Sequence, residues 1–375
     1  MLKSFQIQNF RLFQHLEVSK LGRVNLIVGK NNSGKSTFLE AVAIYASNAF
    51  YQVLLDLIES RQETWLRGGQ IYSPSFFMNP IRHLFFGRKL PNIEENGIVL
   101  GEIESGNNIH LSVAAYQNKQ DNEGTLRKIR TSETEIDDDL SNLEFFLIVE
   151  EGKRTRRLFG LDKNIKDIRR SYTIYERMEP DLKYIWQLVR TENVSDRKLA
   201  ALWDLTSLTD LESEVISALR LIDNRVSGVA FVEDISRSRT REPDNRIPLV
   251  KIKDIDEPLP LKSMGDGMSR LFHIVVALVN SRNGLLLIDE FENGLHWSVQ
   301  PLVWEIVFQL SEKLNVQVFA TTHSRDCIEG FDKAWNKYPE LGAFFRLDVK
   351  GNSIKATEYT SETLTDAIDM DVEVR

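Results

Sequence analysis

Eight residues, Gly29-Lys30-Asn31-Asn32-Ser33-Gly34-Lys35-Ser36, keep the spacing G-x-x-x-x-G-K-S/T, and that spacing serves the capture of a polyphosphate. Successive backbone N–H groups and the positive end of a helix meet dense negative charge only where the backbone comes close, which Gly29 and Gly34 allow. Lys35 is expected to reach the β- and γ-phosphates and to assist catalysis. The Ser36 hydroxyl is expected to ligate Mg²⁺, with Asn31, Asn32, Ser33 and Thr37 adding nucleotide contacts. An apolar strand, Val24 to Val28, precedes the loop and a helix, Ser36 to Ala46, follows it, as the mechanism requires.

The chemistry is completed far along the chain. Leu285 to Ile288 is an all-apolar run ending in Asp289 and Glu290, the pattern that delivers carboxylates to the carboxyl edge of a buried parallel sheet. Asp289 is expected to hold Mg²⁺ through its water shell, and Glu290 to orient and deprotonate the water that attacks the γ-phosphate. Such a strand is common by itself; paired with the loop it reads as half of a hydrolytic site. Before it, Lys262 to Arg270 forms a small-residue turn containing Ser263, Gly265 and Asp266, which opens an apolar helix and offers a second anion-binding helix N-terminus. After it, the strand Val316 to Ala320 leads to Thr321-Thr322-His323-Ser324, where His323 could donate to a γ-phosphate oxygen.

Other elements must position these groups. Leu2 to Val18 alternates as two short strands around Asn9-Phe10-Arg11. Residues 49–67 read as helical and lead into an aromatic, Pro-punctuated stretch (Tyr72, Pro74, Phe76, Phe77, Pro80, Phe85, Phe86) that looks like an insertion. Ile98 to Ile103, Ile109 to Tyr116, Leu126 to Arg130 and Leu143 to Val149 read as antiparallel strands, with the acids Glu133, Glu135, Asp137, Asp138 and Asp139 in a loop between them. Ile165 to Ile222 is mostly helical in period, with an apolar run at Tyr184 to Val189, a turn at Asn193-Val194-Ser195 and a helix capped by Ser195. A charged loop, Asp234 to Arg246, precedes a strand-like Leu249 to Ile252. No internal repeat or sustained heptad is evident.

Composition bounds the class. The chain has 375 residues, 42% hydrophobic and 27% charged, enough to bury the core of a large domain. Its apolar runs fall far short of the ~20 residues of a membrane span, and no signal pattern opens it, so a cytoplasmic protein without membrane contact is expected. A single cysteine, Cys327, rules out an internal disulfide and fits a reducing compartment, and no Cys/His spacing suggests zinc. With a net charge of -8, duplex DNA could be held only by local clusters: Lys153, Arg154, Arg156 and Arg157, then Lys163, Lys166, Arg169 and Arg170, then Arg237, Arg239 and Arg241.

The order of these motifs resembles an ABC-type ATPase head of the branch that includes RecF, the structural-maintenance-of-chromosomes (SMC) proteins and the OLD-family ATPases. The resemblance implies an α/β P-loop ATPase with a mixed or antiparallel β subdomain and a helical signature lobe, using ATP and Mg²⁺. It divides the chain into 1–48 and 263–350 as halves of the ATPase lobe, 49–96 as an insertion, 97–160 as the β subdomain, 161–262 as the helical lobe and 351–375 as a tail. Ser263 and Gly265 fall on the family's signature, with Met264 and Asp266 departing from its usual form. His323 falls on the switch histidine. Asn293 to His296 fall on the D-loop, where His296 replaces an aspartate. Asn9 to Phe13 is similar to the family's F-K/R-x-F/Y turn, which makes Arg11 a phosphate contact, and Gln187 is the Q-loop candidate for the metal.

In such heads the signature of one subunit covers the nucleotide of the other, so an ATP-sandwich homodimer is implied. OLD nucleases continue into a TOPRIM domain. Here Asp369-Met370-Asp371 reads as a tail acid pair, and the layout resembles ATPase subunits that act beside a separate TOPRIM-like or other effector in two-gene anti-phage systems. Two functions follow from the resemblance: an ATP-gated switch that controls such an effector, or a RecF-like clamp on duplex DNA.

Overall fold

The structure, a computed structural model, describes residues 1–64, 79–93, 95–103, 105–120, 126–131, 143–163, 168–169, 181–191, 194–233, 246–351 and 353–375. Tyr72, Pro74, Phe76, Phe77, the acids from Glu133 to Asp139, Lys166, Arg170, Asn193, Arg237, Arg239 and Arg241 lie outside the described residues.

The chain begins with β1 (Phe5–Phe10), β2 (Phe13–Val18) and β3 (Val24–Val28), followed by α1 (Lys35–Ala46) and α2 (Tyr51–Ser60). Five strands come next: β4 (Ile98–Gly101), β5 (Ile109–Gln120), β6 (Leu126–Thr131), β7 (Leu143–Glu151) and β8 (Arg154–Gly160). Then come β9 (Trp186–Val189), α3 (Asp196–Asp204), α4 (Asp210–Ile222), β10 (Val226–Glu233), β11 (Arg246–Ile252) and β12 (Leu259–Pro260). The last third holds α5 (Asp266–Val279), β13 (Leu285–Ile288), α6 (Gln300–Lys313), β14 (Gln317–Thr321), α7 (Arg325–Lys337), β15 (Gly342–Lys350), β16 (Ser353–Tyr359) and α8 (Ser361–Asp369).

Among the described residues the strands form three sheets. The central one runs β16-β15-β3-β14-β13-β9, parallel except for the antiparallel edge strand β16. Its inner strands β3, β14 and β13 are covered on both faces, which is why they read as unbroken apolar runs. Side chains alternate between two cores. Leu26, Val28, Leu286, Ile288, Val318 and Ala320 face one core with α5, α6 and α7, whereas Ile27, Leu285, Leu287 and Phe319 face the other with α1 and α2. The second core is closed by a seven-stranded antiparallel sheet of order β2-β1-β4-β5-β7-β8, with β6 paired to β5. Asn25, wholly buried in β3, stays satisfied through Gly22 and the Val318 carbonyl.

The fold class is the expected one, an α/β P-loop ATPase architecture with an antiparallel sheet and a lobe, but several expected boundaries dissolve. Pairing of β1 with β4 carries one sheet across the division between 1–48 and 97–160. The described residues of 49–96 are tied into the fold rather than appended to it: Leu54, Leu55, Ile58, Ile81, Leu84 and Phe85 share the core of α1. The helical lobe, with α3 and α4, also carries a small sheet: Val226–Glu233 is a strand that pairs with β11, and β11 in turn with β12. Nor are residues 351–375 a tail. β16 extends the central sheet, α8 starts in a capping box formed by Thr360 and Thr363, and Leu364 and Val374 are buried.

Candidate nucleotide site

β3 ends at Val28 and the chain turns through the loop into α1. Gly29 (φ 148) and Gly34 (φ 99) occupy backbone conformations that side chains rarely adopt. A Cβ on Gly29 would fall 2.5 Å from Ser33 Oγ and 2.7 Å from the Leu347 carbonyl; one on Gly34 would fall 2.7 Å from the Phe13 ring. Helix α1 has no side-chain cap, so its first N–H groups remain for an anion. Asn31 and Asn32 are exposed around this turn, and Ser33 and Thr37 are buried beneath it. Lys35 Nζ donates to the Gly29 carbonyl at 2.7 Å and the Lys30 carbonyl at 3.1 Å, which holds the ammonium over the loop. Burial pushes its pKa below the usual lysine value, against the opposing pull of Asp289, Glu292 and Glu290.

β13 lies beside β14, and β14 beside β3, so the ends of β13 and the loop converge. Ser36 Oγ donates to Asp289 Oδ1 at 3.0 Å across 253 residues of sequence, and Thr321 Oγ1 at the end of β14 donates to the same oxygen at 2.6 Å. Glu290 follows in a left-handed conformation (φ 48), which for a non-glycine residue persists only when its surroundings over-determine it. Here they do. Its N–H donates to Thr321 Oγ1 (2.9 Å), its carbonyl accepts from Arg270 Nη2 (3.0 Å), and the next residue, Phe291, stacks on Trp304 at 3.7 Å.

Arg270, one turn into α5, is buried and spends its guanidinium on backbone carbonyls at two strand ends. Nη1 binds Arg190 (2.7 Å) beyond β9, and Nη2 binds Asp289 (2.8 Å) and Glu290 beyond β13. Burial pushes its pKa down to about 10 despite Asp289, Glu292 and Glu290 nearby. His323 lies beyond β14, with Nδ1 3.1 Å from Glu292 Oε1 and 3.9 Å from Glu290 Oε1.

The structure therefore brings together Gly29 to Thr37, Asp289, Glu290 and His323. Ser263, Gly265 and Asp266 are exposed at the start of α5, where the N-cap Gly265 leaves that helix without a side-chain cap. Helices α1 and α5 lie in different cores, on opposite faces of the central sheet. In the segment expected as the D-loop, Asn293 donates to the Thr191 carbonyl (2.6 Å), and His296 Nδ1 faces Ser298 Oγ (2.8 Å).

Two expected contacts fall elsewhere. Arg11 is buried and committed to carboxylates, 2.9 Å from Glu40 and 2.7 Å from Glu63, so it braces α1 from behind rather than opening toward a phosphate. Gln187 pairs in register with Leu286, three residues short of Asp289, and lines a 220 Å³ crevice with Asp56 and Lys198; it is not brought to Ser36 and Asp289. The residues level with the acids on that edge are Arg190 and Thr191. Thr321, Arg270, Glu292 and Arg61 were not foreseen. Arg61, half exposed after α2, reaches Thr37 Oγ1 (3.3 Å) and Glu40 (2.9 Å). The available signals were an arginine opening an apolar helix and a threonine at a strand end.

Residues 24–326 match the family model described as "AAA domain, putative AbiEii toxin, Type IV TA system". The chain belongs to that family. It is similar to a Helicobacter pylori protein called "ATP/GTP phosphatase", 24% identical over 348 residues that cover 89% of this chain and 88% of that one. It is also similar to the "DNA replication and repair protein RecF" of Clostridioides difficile, 26% identical over 46% of this chain and 40% of that protein. Among solved structures, an SMC head bound to the C-winged helix domain of ScpA matches at TM-score 0.48 and 11% identity, over 97% of this chain and 99% of that one. The SMC head of Thermotoga maritima matches at 0.42 and 11%, over 96% and 98%. Membership in this family supports ATP-binding ATPase activity at a general level. No helix among the described residues is long and apolar enough to cross a membrane.

Proposed function

We propose that the chain hydrolyses ATP with Mg²⁺ and that two copies, closed head to head over nucleotide, act as a switch on a separate effector such as a nuclease or toxin. The observation that carries the reading is the 3.0 Å contact between Ser36 and Asp289, with Glu290 next in sequence. A hydroxyl and a carboxylate converge there, the hard oxygen donors that Mg²⁺ accepts. Once bound by Ser36 and by Asp289 through water, the ion would neutralise charge on the β- and γ-phosphate oxygens.

The chain's own groups do the rest. Gly29 to Gly34 and the N-terminus of α1 bind the phosphates, and Lys35 exchanges its loop carbonyls for β- and γ-oxygens. Thr321 and Arg270 fix the backbone that aims Glu290, whose carboxylate takes a proton from the attacking water. His323 faces the γ-phosphate from the neighbouring strand end. The exposed Ser263-to-Asp266 turn, on the opposite face of the sheet from α1, is suited to cap a second copy's nucleotide.

Glu290→Gln should retain ATP binding while turnover drops by about 100-fold or more, and the nucleotide-bound dimer should accumulate in ATP and Mg²⁺. Undiminished turnover removes Glu290 from this role. The RecF-like clamp would draw on the basic clusters, of which Arg169 pairs with Asp56 and Glu59 and Arg156 donates to the Asn48 carbonyl, while Lys153, Arg154 and Arg157 are exposed; salt-sensitive, ATP-dependent duplex binding by the isolated protein would favour it over the switch. The effector is proposed to be a separate protein that binds one nucleotide state of the dimer.

A further inference from the structure

Between the acid pair and the D-loop stands a carboxylate to which the mechanism above gives no task. The Glu292 side chain is only 11% exposed. Its Oε2 accepts from Thr322 Oγ1 at 2.7 Å, and its Oε1 accepts from the backbone N–H of His323 at 3.0 Å. The same Oε1 lies 3.1 Å from His323 Nδ1, whereas Glu290 Oε1 is 3.9 Å away. Thr322 is fully buried and its Oγ1 also accepts from the Ser324 N–H at 3.0 Å, so the carboxylate sits on a fixed support. The imidazole nitrogen thus lies within ion-pair distance of Glu292 and farther from the proposed catalytic base.

An ionised carboxylate only accepts hydrogen bonds, so a bond formed at this contact places the proton on the ring nitrogen nearest it. We propose that Glu292 is a positioning residue for His323: it keeps the proton on Nδ1 and thereby presents Nε2 to the nucleotide. The proposal rests on the reading of His323 as the group that faces the γ-phosphate. Among the described residues Nε2 makes no hydrogen bond, and the side chain is 53% exposed, so the ring's free edge is available to a ligand. A neutral ring held this way can accept a proton at Nε2; a protonated ring donates Nε2–H to a phosphate oxygen. In either state the orientation is set by Glu292, much as an outer carboxylate sets the tautomer of a ligating histidine.

The test combines a spectroscopic and a kinetic readout on the full chain. With ¹⁵N-labelled histidine, and the His323 signals assigned by their loss in His323→Gln, the neutral ring should show the Nδ1–H tautomer. In Glu292→Ala it should revert to the Nε2–H form that free histidine prefers. Glu292→Ala should lower kcat by about 10- to 100-fold with KM for ATP changed by less than about 2-fold. Glu292→Gln, whose side-chain carbonyl can still accept from Nδ1–H, should recover part of the loss and covers the case in which the alanine variant folds poorly. An unchanged tautomer in both variants, or a rise in KM at constant kcat, overturns the proposal. Full turnover by His323→Gln would instead defeat the γ-phosphate reading of His323, while the tautomer measurement would still judge Glu292.

Discussion

At the residue scale, the site depends on backbone conformations that side-chain chemistry cannot supply. Gly34 stands at φ 99 with the buried Phe13 ring where a Cβ would go. Gly34→Ala should therefore cost about 1–3 kcal/mol of stability from the strained backbone and weaken ATP binding, as read by thermal unfolding with and without nucleotide. His273 makes a pH prediction. Buried in α5, its imidazole is pushed by burial, and secondarily by Arg270 and Lys198, down to about 3 from the ordinary 6.5. The unfolded chain then binds a proton that the folded chain refuses. Stability from this group is complete above about pH 6.5 and is lost as pH falls toward 3, at up to about 1.4 kcal/mol per pH unit. Denaturant melts from pH 7 to 4 should show this slope, and His273→Leu should flatten it. Glycine, lysine and acid positions were legible because the chemistry admits few residue types there. Glu292 and Thr321 were not, since a glutamate and a threonine near a strand end have many possible uses.

At the element scale, α5 follows the exposed turn at Ser263, packs on β13 through its apolar face and reaches the end of that strand through Arg270. Arg270 satisfies carbonyls beyond β9 and β13, and removing it takes the donor from those of Arg190 and Asp289, while that of Glu290 keeps the Asn293 N–H. Arg270→Met should cost on the order of 3 kcal/mol, and it should reduce turnover more than ATP affinity because Lys35 and the loop are untouched. Retention of full activity would separate α5 from the site. Strands β3, β13 and β14 were readable because burial on both faces demands unbroken apolar runs. β16 and α8 were missed for the opposite reason: as an edge strand and a surface helix they keep polar faces, and their burial pattern is broken. The late acid pair proved structural in part, since Asp371 pairs with Arg325 at the start of α7. Arg11 shows the limit of motif matching: position in sequence located its turn correctly, but only packing reveals that Glu40 and Glu63 claim its charge.

At the scale of the whole molecule, two cores on either face of the central sheet separate α1, which follows the Gly29-to-Ser36 loop, from α5, which follows the Ser263 turn. That separation motivates the claim that a second copy completes the site. Mixing two inactive variants tests it most directly. Lys35→Ala lacks a working loop and Ser263→Arg lacks a working signature, so each alone should hydrolyse little ATP. In a mixed head-to-head dimer, the intact loop of one copy meets the intact signature of the other. An equimolar mixture should therefore regain about a quarter of wild-type turnover, since about half of the dimers are mixed and each holds one complete site. Full activity in Ser263→Arg alone, or no recovery on mixing variants that still dimerise, would contradict a site shared between two copies.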